Sequence, residues 1–423
     1  MQQRITNLLR WSEKYTKTDM VYLAKGGFVL SVGQFATTLF GLALAIAFAN
    51  LLTPQTYGVY KFVLALAGII GAFSLTGMGS SVVQAVSKGF DGVLHSAPRR
   101  ILLWNAAAIA IALAASGYYF INENIVLSVS FLFAALLSPI HKSFSIFNSF
   151  LQGKKDFVRS TKYGFAMDGF PVIAMIGTAF LFPEPLPVIL AFFASNALIA
   201  VLLYIRTKHV YKPAVEDIEQ TAQYAKHLSV MNIIGTVAGQ LDKVLMFHFL
   251  GAAPLAIYSF AITPPKEAGI ISRVLQILTL PKASARSLKE LAASLPFKAF
   301  LMFLASAAVA LAYIFAAPYI FQYLFPQYLE SILYSQVFAA TLLFSPSVLF
   351  VQSLIAHKRK QSLYILNTVS PIVRIVLLFI LLPLYGIWGA IASILATQAV
   401  RFVLSIATFY REVMREDQEP QEG

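Results

Sequence analysis

Ten ionisable side chains of this 423-residue chain lie inside stretches that are otherwise apolar enough to span a membrane. The bases are Lys61, Lys142, Lys243, Lys266, Arg273, Arg374 and Arg401, and the acids are Asp168, Asp242 and Glu267. A charge in hydrocarbon is strongly unfavourable, so each must face protein or a water-filled cavity, where it marks a functional path or a structural pair. The bases exceed the acids by four, a balance that suits a cavity supplying solvation and counter-charge to an anion. Little other chemistry is legible. The absence of cysteine excludes disulfides, thiolate metal sites and a cysteine nucleophile. The six histidines show no ligand spacing, and no Walker-type phosphate loop is present. The expectation is a protein that is no enzyme and holds neither metal nor cofactor.

The elements that position these charges follow from composition. With 58% hydrophobic and 12% charged residues and a mean hydropathy of +0.72, the chain carries more apolar surface than a soluble core can bury. It is expected to be an all-α polytopic membrane protein. A bilayer core of about 30 Å requires about 20 residues per helix, and the apolar runs place twelve spans near 24–50, 58–82, 101–120, 126–150, 162–182, 187–205, 228–249, 254–278, 296–317, 330–355, 362–383 and 386–409. The corresponding divisions are a leader at 1–23, an N-lobe at 24–205, a polar linker at 206–227, a C-lobe at 228–409 and an acidic tail at 410–423. In the leader, Ile5, Leu8, Leu9 and Trp11 lie near Arg4, Arg10, Lys14 and Lys17, which reads either as an interfacial helix or as a disordered segment. The first apolar run is long enough to be a retained span rather than a cleaved signal.

Charge supplies an independent test of these boundaries. Of 32 Lys and Arg residues, the seven named above fall in spans, and the other 25 fall in or beside the N-terminus, the loops after even-numbered spans and the tail. The loops on the opposite side have none. Cytoplasmic loops accumulate Lys and Arg, so both termini are expected in the cytoplasm. The net charge of +13 is thereby explained by topology, with no nucleic-acid partner.

The two halves share a pattern. Ala24-Lys25 opens a run that leads to Pro54 and Tyr57-Gly-Val-Tyr60-Lys-Phe62, and Ala225-Lys226 opens one that leads to Pro254 and Ile257-Tyr258-Ser-Phe260. Transporters built from parallel repeats bind substrate between their halves. Several segments carry a more specific likeness: Ala49-Asn-Leu-Leu-Thr-Pro-Gln-Thr-Tyr-Gly-Val-Tyr, Gly77-Met-Gly-Ser-Ser, Leu241-Asp-Lys-Val-Leu, Leu324-Phe-Pro-Gln-Tyr and Leu382-Pro-Leu-Tyr-Gly-Ile-Trp-Gly-Ala. In this order and spacing the chain resembles the polysaccharide-export or oligosaccharide flippases of the multidrug/oligosaccharidyl-lipid/polysaccharide (MOP) superfamily. The resemblance implies a fold like that of the multidrug MATE transporters, two six-helix lobes around a central cavity. It also implies an undecaprenyl-diphosphate-linked oligosaccharide as cargo, such as an O-antigen repeat unit, moved across the bacterial inner membrane. Membrane lipids and a polysaccharide polymerase are the implied partners, with a proton or sodium ion as the coupling ion if one is used. An ion-coupled multidrug antiporter of the same superfamily is the alternative.

Given that resemblance, the buried charges acquire specific expectations. Arg374 is the first candidate for the diphosphate, because guanidinium binds phosphate bidentately and stays charged when buried; a pair with an intramembrane carboxylate is its other reading. Lys243, Lys266, Lys142, Arg401, Arg273 and Lys61 complete the expected cationic cavity. Lys61 and Arg273 could instead snorkel to the interface, and Arg401 could grip lipid heads. Asp168, Asp242 and Glu267 either bind a coupling ion or neutralise cations. Asp242 and Lys243 diverge by about 100° around a helix, so only one of them is expected to face the cargo. Pro264 and Pro265, Pro139 and Pro371 are hinge candidates, each also readable as a packing kink. His141 and His248 read as packing residues, and Gly235-x-x-x-Gly239 reads as a helix contact.

Overall fold

A computed structural model describes residues 20–213, 219–269 and 287–418. The leader as far as residue 19, Glu216 and Asp217 of the linker, Arg273, the basic loop with Lys282 and Arg286, and the end of the tail lie outside the described residues.

The described chain is helical throughout. Its helices are α1 (Met20–Leu51), α2 (Pro54–Ile70), α3 (Met78–Ser87), α4 (Val93–Trp104), α5 (Ala106–Ile121), α6 (Ile125–Phe144), α7 (Ile146–Gly153) and α8 (Phe157–Leu181). They continue with α9 (Pro185–Tyr211), α10 (Glu219–Leu250), α11 (Ala252–Ala268), α12 (Leu288–Leu324), α13 (Ser331–Phe338), α14 (Ser347–Ala356) and α15 (Lys360–Gln418). Among the described residues eight helices are long and apolar enough to cross a bilayer, and ten spans result if the bent pairs α4–α5 and α13–α14, each turned by 41°, count once each. This is a multi-pass membrane protein.

Local chemistry sets the helix ends. At the first turn Thr53 precedes Pro54, whose missing N–H costs nothing at the start of a helix, and the Thr53 hydroxyl accepts the Thr56 amide at 3.2 Å. Asn124 accepts the Leu127 amide at 3.1 Å to open α6. Asp156 accepts the Arg159 amide at 3.0 Å to open α8. Ser287 opens α12 by accepting the Glu290 amide.

The breaks fall where the apolar runs give no warning. The second expected span is α2, a 3₁₀ turn at Gly71–Phe73 and α3. The third breaks at Asn105, the fourth at Ser145, and the tenth through a 3₁₀ segment at Ala339–Phe344 and Pro346. The hinge candidates Pro139, Pro264, Pro265 and Pro371 all sit inside continuous helices. Within α15 the interruption is Gly386, with φ 57° and ψ −131°, a conformation that other residues rarely adopt. The packing role expected of Gly235 and Gly239 is not what the structure has. A Cβ added at either would meet no described atom within 4 Å, so these glycines create room rather than contact.

The chain divides into two compact units. Unit 1 comprises 1–56 and 63–236, and unit 2 comprises 57–62 and 237–423. The core of unit 1 gathers Leu75, Val82, Leu94, Phe147, Phe150 and Leu203. The core of unit 2 includes Leu288, Leu291, Phe350 and Phe409. Residues 57–62 of α2 belong to unit 2 by close packing. Tyr57 stacks on Phe260 at 4.5 Å and Phe62 on Phe247 at 3.9 Å. Gly58 permits this approach, since a Cβ there would lie 1.9 Å from the Ala252 carbonyl oxygen.

Candidate functional site

In unit 2, four elements bring five of the expected residues into one electrostatic group. Asp242 and Lys243 come from α10, Lys266 from α11, Arg374 from α15 and Lys61 from the 57–62 segment. Asp242 is its centre, with a side chain that is 0% exposed. Its Oδ2 accepts a hydrogen bond from Arg374 Nη2 at 3.1 Å and a short one from the Tyr258 hydroxyl. Its Oδ1 lies 3.5 Å from Lys243 Nζ, which also donates to Gln240 Oε1 at 2.9 Å. A carboxylate fixed this way is tolerable in a buried place because two cations and a hydroxyl replace its water.

The remaining members are less constrained. Lys266 is exposed to the protein exterior or to a cavity, with Nζ 5.8 Å from the Phe338 ring centre, and it lies within electrostatic range of Asp242, Lys243, Arg374 and Lys61. Lys61 rests over the rings of Tyr57 and Tyr60 at 5.1 and 5.8 Å. Three bases thus act on the Asp242 carboxylate, with Lys61 close to two of them, and these five residues carry a net of three positive charges. Asp242 turns to α11 and α15, while the long Lys243 side chain, 17% exposed, curls back to its neighbour. Arg374 pairs with an intramembrane carboxylate, and 20% of its side chain stays exposed.

The other expected residues are elsewhere. Lys142 in unit 1 donates to the Gly71 carbonyl at 2.8 Å and to Ser74 Oγ at 3.2 Å, so it anchors the broken end of α2. Asp168, also in unit 1, accepts a hydrogen bond from the Thr37 hydroxyl. Arg401 lies on α15 and makes no ion pair among the described residues. Glu267 follows Lys266 at the end of α11. His141 Nδ1 donates to the Asn196 carbonyl at 3.2 Å, a packing contact, and His248 is exposed.

Two features were missed by sequence reasoning. Tyr258 stands sixteen residues after Asp242 on the next helix, and nothing in the local pattern announces that they meet. The second is a polar cavity of about 360 Å³ in unit 1, lined by α1, α7 and α8. Its signal was present. Ser145, Asn148, Ser149 and Gln152 recur at helical spacing, as do Ser160, Thr161, Gly164 and Asp168, so each set shares one face. Among the described residues there is no group of three or more His, Cys, Asp or Glu placed to hold a metal.

The model of the polysaccharide biosynthesis protein family matches residues 23–267, more than half of the chain. The chain belongs to this family. This member of the polysaccharide biosynthesis family has the fold of the MOP superfamily. An outward-facing multidrug resistance MATE family transporter of that superfamily superposes with a TM-score of 0.67 and 14% identity, covering 94% of this chain and 96% of its own. The lipid II flippase MurJ, in an inward closed conformation, gives 0.68 and 15%, covering 92% and 87%. A MOP superfamily transporter from Pyrococcus furiosus gives 0.58 and 13%, covering 92% and 95%. No curated protein sequence matches the chain.

Proposed function

We propose that this chain is a flippase that moves an undecaprenyl-diphosphate-linked oligosaccharide, an O-antigen or related repeat unit, across the bacterial cytoplasmic membrane by alternating access. The observation that carries this reading is the group of Lys243, Lys266 and Arg374 about Asp242, with Lys61 beside it. A diphosphate head cannot enter a low-dielectric slab without counter-charge, and the net positive charge of this group supplies it. Membership of a polysaccharide biosynthesis family supports the glycan, and likeness to a lipid II flippase supports the lipid carrier. Asp242 is already engaged by two cations, which disfavours capture of a cationic drug.

In this proposal the spans number twelve, in lobes at 24–205 and 228–409 around a cavity. Lys360–Gln418 then counts as two spans about Gly386, and Ala252–Ala268 counts as part of one. Both termini are cytoplasmic, and a polysaccharide polymerase receives the delivered unit. Asp168, Asp242 and Glu267 are the acids to examine for proton or sodium coupling.

Reconstitution in proteoliposomes tests the reading, with a radiolabelled lipid-linked glycan whose outer-leaflet fraction is measured by enzymatic release of the sugar. Lys243→Ala and Lys266→Ala are expected to slow flipping about tenfold each, the scale of one lost contact between charged groups, at unchanged membrane abundance. Full-rate flipping by both variants would remove the cationic group from the mechanism.

A further inference from the structure

The polar cavity of unit 1 has a chemistry opposite to that of the cationic group. Among the described residues its lining holds hydroxyls, amides and one carboxylate, and neither lysine nor arginine. At about 360 Å³ it falls within the range of about 300–1,000 Å³ usual for small-molecule sites. A phosphate would meet Asp168 there with no compensating cation. A polyhydroxylated ligand would find suitable partners, because every sugar hydroxyl both donates and accepts and the lining offers both kinds of group.

Individual contacts leave those partners available. Asp168 uses Oδ2 to accept from Thr37, and among the described residues Oδ1 accepts no hydrogen bond. Asn148 uses Oδ1 to accept from Ser160 at 2.6 Å, which orients its amide and leaves the NH₂ group to donate. Gly164 lies in the lining, and a Cβ added there would meet nothing within 4 Å, so the absence of a side chain keeps the space open. The cavity lies beside the α7–α8 turn with Lys154, Lys155 and Arg159, the end of the unit that the charge pattern assigns to the cytoplasm, where cargo is loaded.

We propose that this cavity is the subsite for a sugar residue of the cargo, with Asp168 Oδ1 and the Asn148 amide as its principal acceptor and donor. The proposal rests on the flippase reading. It assigns a neutral, hydroxyl-rich portion of the head group to unit 1.

The test compares equilibrium binding of two probes to the purified full chain in nanodiscs. One probe is undecaprenyl diphosphate without sugar, and the other is the lipid-linked glycan extracted from cells deleted for this protein. Asp168→Asn and Gly164→Leu are each expected to weaken binding of the glycan lipid by about tenfold or more, as loss of a charge-assisted hydrogen bond implies. Binding of the sugar-free lipid should stay within about twofold, well under one hydrogen bond's worth. Gly164→Leu fills the space without changing charge, at a helical position that tolerates leucine better than glycine, so it covers the case in which Asp168→Asn fails to fold. The sugar subsite is overturned if both variants weaken the two probes equally or neither. It is also overturned if Asp168→Asn only alters the sodium or pH dependence of flipping, which would make the cavity a cation site. Wild-type protein that binds and flips neither lipid would sink the flippase reading itself, an outcome separable from the others because it precedes any substitution.

Discussion

The two units treat buried charge in opposite ways. In unit 1 two of the ionisable groups within the apolar spans are held singly by neutral partners: Lys142 by a backbone carbonyl and a serine, Asp168 by a threonine. In unit 2 they are held by one another, with Asp242 fixed between Arg374, Lys243 and Tyr258. A charge satisfied by neutral dipoles can be removed with local consequences only. A charge satisfied by other charges cannot, because each deletion leaves a partner exposed to the full cost of desolvation. The difference separates a unit whose charges secure its shape from a unit whose charges form one interacting set with surplus positive sign.

Substitutions can break or sharpen that contrast. Asp242→Ala should have the largest effect, a destabilisation of about 3–5 kcal/mol because it strands buried cations, seen as a lower unfolding temperature in detergent and reduced membrane abundance. An unchanged temperature would mean that the cations are fully hydrated and the contrast is false. Tyr258→Phe should cost about 1.5–3 kcal/mol, the value of a hydrogen bond to a charged group, in the same measurement. Lys142→Met should cost about 0.5–1.5 kcal/mol, the value of one hydrogen bond, because the Gly71 carbonyl still accepts from the Ser74 hydroxyl at 2.6 Å, while flipping per folded molecule stays at the wild-type rate. A flipping defect in that variant would draw unit 1 cations into cargo handling.

The smallest effect concerns Asp156, in the connection before α8. Burial raises its carboxyl, but the Tyr211 hydroxyl, the Arg159 amide and the Arg159 guanidinium outweigh burial and hold it below the ordinary aspartate value. Its contribution is therefore complete above the unfolded-state value and is lost as pH falls through the lower folded-state value. Asp156→Asn should flatten the acid limb of the stability profile slightly, and an identical limb would show that these contacts are too hydrated to matter.

Much of the fold was legible because bilayer length and loop charge are strong constraints. The runs that became α1, α6, α8, α9 and α12 needed only apolar length and a turn to be located. The interior breaks were not legible, because Gly71, Asn105 and Ser145 are ordinary residues in membrane helices, whereas the prolines that drew attention are carried inside intact ones. Of the site, the sequence offered the charges but not their partners. That Asp242 meets Arg374 depends on packing between helices more than a hundred residues apart, and no local period reports it. The cavity around Asp168 was legible in principle as two polar faces, but attention to charge passed over the neutral residues that form most of it.

Gly386 has a consequence for how the chain enters the bilayer. It turns α15 back with no loop at all, so close that a Cβ at Gly389 would fall 1.9 Å from the Leu381 carbonyl oxygen. At the far end Ser362 donates to Glu412 at 2.6 Å and Arg359 lies 3.7 Å from the same carboxylate. A hairpin closed at both ends offers the translocation machinery nothing to pause on between its arms. The two arms of α15 should integrate together as a single cargo of the translocon, and truncating the chain after the first arm should leave that arm poorly inserted rather than stably half-made.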